Sequence, residues 1–136
     1  MIILRHFPEY KIYICQGIIS VENIGLDKYD VLVHLNKEFV KGIIHIKSAA
    51  YHYLETLKYR SRWIKDPNYR FLAFLLLEDQ VDKIRERVEN KTKNITIIIT
   101  KIALNCEEAT LGEGDDYILS QLAVFRLKLE KERLLK

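Results

Sequence analysis

Apolar residues recur along this chain with two different periods, and the switches between them mark its elements. From Ile44 to Tyr59, Ile46, Ala49, Ala50, Tyr53, Leu54 and Leu57 return at three- and four-residue steps, which predicts a helix with one apolar face. Asp66 and Pro67 follow, a capping acid and a first-turn proline, and open a second helix through YRFLAFLLL. A third, shorter helix reads VDKIRERVEN. A two-residue alternation over residues 10–19 predicts a strand, with Ile12 and Ile14 on one side and Tyr13 and Cys15 on the other. VLVHL is a short buried strand, and ITIIITKIAL, apolar on both faces, is a central one. Ser20 is placed to cap a short helix from Val21 to about Leu26, and Asn36 to cap the single turn KEFVK. The last helix spans Tyr117–Leu134, with Ile118, Leu122, Phe125 and Leu129 as its stripe. Residues 1–7 and part of 102–113 are candidates for further strands.

This order suits a single α/β domain over residues 1–136, a small mixed sheet with helices packed against it. At 136 residues and 49% hydrophobic composition the chain can bury its own core. With 5 glycines and 2 prolines, long low-complexity segments are not expected. No run approaches the ~18–20 apolar residues of a membrane span, and Arg5, His6 and Glu9 break any secretory pattern. The expected location is therefore cytoplasmic. Cys15 and Cys106 lie far apart without metal-like spacing and are expected to be reduced. The formal charge of +3 permits an acidic partner without demanding one, so clustering matters more than the total.

No phosphate-binding loop, dinucleotide fingerprint, nucleophile elbow or H-E-x-x-H helix occurs, and no cofactor or metal is expected. Gly112-Glu113-Gly114-Asp115-Asp116 lacks the ligand spacing of a calcium loop and reads as a turn with a helix cap. His45, His52 and Glu55 share a helix face, but seven residues separate the imidazoles by roughly 10 Å, too far for one zinc ion. Glu107-Glu108 and Asp115-Asp116 read as solvated loop charge. A small enzyme using His34 or His45 is the alternative in the catalytic class, although His34 sits in an apolar strand pattern.

One cluster stands out. Lys58, Arg60, Arg62, Lys65 and Arg70 crowd the link between the first two long helices, with Trp63, Tyr59 and Tyr69 interleaved. Cations neutralise phosphates and flat rings stack on unpaired bases, so Lys58, Arg60, Arg62, Trp63, Lys65 and Arg70 form a candidate nucleic-acid surface. Its plain counterpart is a soluble connector with Trp63 buried beneath it. A second basic run, Lys83 to Lys93, is diluted by Asp82, Glu86 and Glu89 and reads as a solvated face.

Over residues 10–100 the order of elements, with Ala49-Ala50 in the first helix and Gln80-Val81 opening the third, resembles a known family. It is similar to the small non-catalytic, kinase-binding subunit of the KEOPS/EKC complex, the family of the animal PRPK-binding protein. Arg70 replaces an acid in that family's second helix, and Leu76-Leu77 stands where a Ser-Gly break is usual. The resemblance implies a protein without enzymatic activity that binds a small atypical kinase/ATPase subunit. It further implies a part in threonylcarbamoyladenosine formation on tRNA and contact with that tRNA. A partner surface on the second helix would comprise Tyr69, Phe71, Phe74 and Leu75. The other class of interaction protein is a weak homodimer built on the same YRFLAFLLL helix, whose apolarity exceeds the needs of one face.

Overall fold

The six-residue run ITIIIT forms the middle of the sheet. Strand β4 (Ile95–Thr100) is buried at every position. It lies between β2 (Phe7–Gln16) and β3 (Val31–Leu35), and β1 (Ile2–Leu4) forms the far edge beside β2, giving the order β1-β2-β4-β3. A mixed sheet was expected; every neighbouring pair here is antiparallel, with Ile12 opposite Ile99 and Val33 opposite Ile97. The computed structural model describes residues 1–20, 25–59 and 63–135. The short helix expected over 21–26 therefore falls largely outside the described residues. Residues 101–104, expected to prolong β4, have left the sheet.

The helices gather over a single sheet face, two against the strands and the last one outside those two. Helix α1 (Ile43–Thr56) packs on β1, β2 and α2 (Pro67–Leu76), while α2 also meets β3 and α3 (Val81–Glu89). Helix α4 (Tyr117–Lys131) rests on α1 and α2, buries Ile118, Leu122, Phe125 and Leu129, and ends short of the expected Leu134. Ala49 and Ala50 are fully buried in α1, where small side chains let helices approach closely. Asp66 caps α2 as read, its side chain accepting from the Asn68 N–H. Because α1, α3, α4 and β3 surround it, α2 is buried from Arg70 to Leu76. Its surplus apolarity is thus spent inside the molecule, and YRFLAFLLL offers no dimer face.

The opposite sheet face carries Tyr13, Cys15, Ile98 and Leu32, covered by loops through Ile19, Leu26 and Leu104. Two buried threonines of β4 tie these loops down. Thr96 Oγ1 donates to Gly17 O and accepts from Ile19 N, and Thr100 Oγ1 donates to Asp30 Oδ2. Cys15 and Cys106 are disulfide-bonded, which corrects the expectation of reduced thiols. Sequence separation hid the pair: the strap after β4 doubles back along β2, with Gln16 N–H donating to Glu107 O and Ala109 N–H to Ile14 O. The strap then reaches the start of α1. Gly42 offers no side-chain cap there, and the Gly112 and Glu113 carbonyls accept from the Ile43 and Ile44 N–H groups instead. Asp115 Oδ1 next accepts from Tyr117 N–H at the head of α4, the cap role read for this stretch.

Candidate functional site

Four pieces of chain meet at one end of the helical layer. The turn before β3 is closed by Asp30, whose Oδ2 accepts from Asp27 N–H at 2.9 Å while its own N–H donates to Asp27 O. These two bonds close a four-residue turn that leaves Lys28 and Tyr29 at its tip, both exposed. The end of α1 supplies Tyr53, whose hydroxyl donates to Tyr29 O, and Tyr59 lies just beyond. The link to α2 contributes Lys65. The first turn of α2 contributes Arg70 and is tied to β3 by Asn68 Oδ1, which accepts from Leu32 N–H at 2.8 Å.

Between these pieces lies a cavity of about 260 Å³, near the small end of ligand-binding clefts. Lys28, Lys65 and Arg70 give its walls positive charge, and Tyr29, Tyr53 and Tyr59 supply rings and hydroxyls. Leu57 and Pro67 also line it, and among the described residues none of the lining side chains is acidic. Arg70 is buried and its Nε donates to Ile64 O at 2.7 Å, so the guanidinium is held in place. Burial pushes its pKa down and the phenols of Tyr53 and Tyr29 push it back up; an arginine so placed stays charged. Burial raises the Tyr53 phenol, which keeps it a neutral hydrogen-bond donor at ordinary pH. The arrangement can hold an anionic group against fixed cations beside ring faces.

The residues read as one nucleic-acid surface divide between different surroundings. Lys65 and Arg70 line the cavity. Lys58 is exposed and pairs with Glu55 at 3.5 Å, and its ammonium lies 5.4 Å from the Tyr59 ring centre. Arg60 and Arg62 fall outside the described residues. Trp63, read as a stacking platform, is half-buried. Its indole N–H donates to Asp79 O at 3.1 Å and its ring stands edge-on to Phe74, so it anchors the link between α1 and α2 to the far end of α2. Lys28 and Tyr29 escaped notice, since they lie outside the basic run, and Tyr53 was read only as part of the apolar face of the first helix. The D-K-Y-D turn was the only signal for the first two.

The expected partner surface is also corrected. Phe71, Phe74 and Leu75 are buried in the core, and a partner cannot touch them without unfolding α2. Tyr69 is half-buried, its hydroxyl accepting from Arg85 Nε with the guanidinium 5.5 Å from its ring centre.

Three of the four histidines are hydrogen-bonded or stacked within the fold. His45 is buried, with Nδ1 accepting from Lys41 N–H at 3.0 Å; Nε2 therefore carries the proton and donates to Leu75 O at 2.8 Å. Burial lowers its pKa, in keeping with that neutral tautomer. His34 Nδ1 lies 2.9 Å from Thr96 Oγ1, whose own hydrogen is engaged by Gly17 O, so His34 is the donor. His52 stacks on Phe74 with ring centres 5.7 Å apart and faces the Arg126 guanidinium. Among the described residues no group of three potential metal ligands converges.

His52 carries a pH prediction. Burial first, then Arg126, lowers its pKa from 6.5 to about 4, with Glu55 opposing. In the unfolded chain the imidazole takes a proton near 6.5, and in the native state it does not until about 4. Its contribution to stability is thus complete above the first value and is lost as pH falls towards the second. Proton NMR should place the His52 midpoint well below that of a free imidazole. His52→Gln should flatten the acid limb of the stability profile, and a midpoint near 6.5 would remove the claim.

Set against known proteins, the chain matches no family model, no curated protein and no solved structure.

Proposed function

We propose that the chain is a non-catalytic accessory subunit of a tRNA-modifying complex, of the kind that makes threonylcarbamoyladenosine. In this reading it binds the complex's small kinase/ATPase subunit in the cytoplasm and contacts tRNA through the cleft between the 27–30 turn and the start of α2. The observation that carries the RNA contact is the composition of that cleft: among the described residues, three cations and three phenol rings surround one cavity and no acid lines it. Lys28 and Lys65, both exposed, are free to follow phosphates, while the fixed guanidinium of Arg70 gives a planar donor set suited to one of them. The half-exposed ring of Tyr29 and that of Tyr59 offer stacking surfaces to an unpaired base.

Two backbone features support the family reading. Leu77, where the resemblance expects a Ser-Gly break, adopts φ 55° and ψ 43°, the left-handed conformation that glycine takes most readily. Gln80 directly precedes α3, as the resemblance requires. The kinase-docking surface lies elsewhere than on Phe71, Phe74 and Leu75. A cytoplasmic chain with a Cys15–Cys106 disulfide fits the intracellular proteins of hyperthermophiles, in which such bonds are common.

Lys28→Ala combined with Lys65→Ala should weaken tRNA binding by about tenfold or more. It should also reduce the slope of log affinity against log salt by about 0.7 per lysine removed, the single-strand value. Both side chains are exposed, so the thermal melt should not move. An unchanged slope would exclude the cleft as an RNA site. Affinity capture of the full chain from its native extract should recover a small kinase and a tRNA-modifying enzyme; their absence would exclude the complex.

A further inference from the structure

Helix α4 has an inner apolar stripe that the fold uses and an outer one, of Tyr117, Val124 and Leu127 with two polar residues, that it does not. Ile118, Leu122, Phe125 and Leu129 point into the core. On the opposite side Tyr117, Ser120, Val124, Leu127 and Lys131 follow one another at alternating steps of three and four, the spacing of a coiled-coil seam. Tyr117, Val124 and Leu127 are 68%, 66% and 57% exposed, against none to 7% for the inner stripe. A helix that only covers α1 and α2 needs no second stripe.

We propose that the outer face of α4 seats a second copy of this chain, antiparallel, about a two-fold axis beside Val124. In that pairing the seam complements itself. Val124 meets its own mate, small Ser120 faces large Leu127, and the Tyr117 ring faces the Lys131 ammonium. The ends agree in charge as well. Glu113, Asp115 and Asp116 precede α4, while Lys131 and Arg133 lie at its far end, where Glu130 is occupied by Arg126 at 3.4 Å. Glu132 dilutes this positive end without reversing it. An antiparallel pair sets acid against base at both ends, whereas a parallel pair sets like against like. Exposed Ala123 beside the seam keeps the two backbones free to approach. A 15-residue helix is about 22 Å long, so one helix pair buries less than the roughly 1,000 Å² of a stable interface. The dimer is accordingly reversible and concentration-dependent. It leaves the proposed RNA cleft untouched, since no α4 residue lines that cleft.

Sedimentation equilibrium of the full chain over a concentration series tests this directly. The wild type should pass from monomer to dimer as concentration rises. Val124→Glu, which sets two carboxylates face to face at the axis, should weaken association by about a hundredfold while leaving circular dichroism and the thermal melt unchanged. Lys131→Glu should also weaken it, and adding Asp116→Lys to that variant should restore it. Val124→Cys should cross-link to its own copy under mild oxidation. A wild type that stays monomeric throughout, or a dimer indifferent to Val124→Glu, overturns the proposal. So does a chain that is monomeric alone and engages this face only with a co-expressed kinase subunit.

Discussion

Gly114→Ala should cost about 4–8 kcal/mol of folding stability, enough to unfold a marginal domain. Gly114 has φ +96°, and a Cβ built on it would lie 2.5 Å from Lys41 O. Gly42, with φ +127°, crosses it so closely that its own Cβ would meet Glu113 O and the Gly114 Cα at 2.6 Å. These obstacles are backbone atoms, so no rotamer can clear them. A side chain at either position pays left-handed strain of about 1–3 kcal/mol and a similar overpacking cost. Separating the two crossing segments also breaks the bonds from Ile43 and Ile44 N–H to Gly112 and Glu113 carbonyls, each contributing about 1 kcal/mol. Those bonds cap an α1 that has no side-chain cap. Gly112→Ala is the control: nothing lies within 4 Å of its added Cβ, and its stability from urea unfolding should change by less than about 0.5 kcal/mol. A Gly114→Ala loss below about 1 kcal/mol would mean that the crossing separates at little cost.

Replacing both cysteines by serine should lower stability by about 2–5 kcal/mol. The bond joins residues 91 apart, and closing a loop of that length removes about 4–5 kcal/mol of denatured-state freedom in the chain-entropy model. It also pins the strap to β2 beside two backbone bonds, Gln16 N–H to Glu107 O and Ala109 N–H to Ile14 O. Hydrogen exchange should therefore accelerate most at the Ala109 amide, ahead of the amides of β4. The strap leads on to the Gly42–Gly114 crossing, so Cys15→Ser/Cys106→Ser and Gly114→Ala should not be additive. A double-serine variant as stable as the parent would show that the denatured chain already keeps the strap beside β2.

Local chemistry was the legible part of this fold. The alternation around Ile12 and Ile14 separates the two sides of β2, the all-apolar run of β4 marks a strand covered on both faces, and the stripe Ile118-Leu122-Phe125-Leu129 states which face of α4 is buried, because periodicity is set by the backbone of the element itself. Asp66-Pro67 announced the start of α2 for the same reason. The site was half legible. A cluster of cations and rings marked the neighbourhood, but Trp63 turned inward to Asp79 O, and the Arg70 guanidinium was fixed by Ile64 O. Both side chains are long enough to serve either surface or core, and only the packed neighbours decide.

The sequence by itself determined the elements, the inner stripe of α4 and the absence of the familiar catalytic motifs. Tertiary structure alone brought Lys28 and Tyr29 to Lys65 and Arg70, paired Cys15 with Cys106, and enclosed α2 on all sides. The reason is one of range. Backbone geometry repeats over a few residues and can be read along the chain, whereas contacts between distant segments depend on how whole elements share a limited core, which no local pattern records.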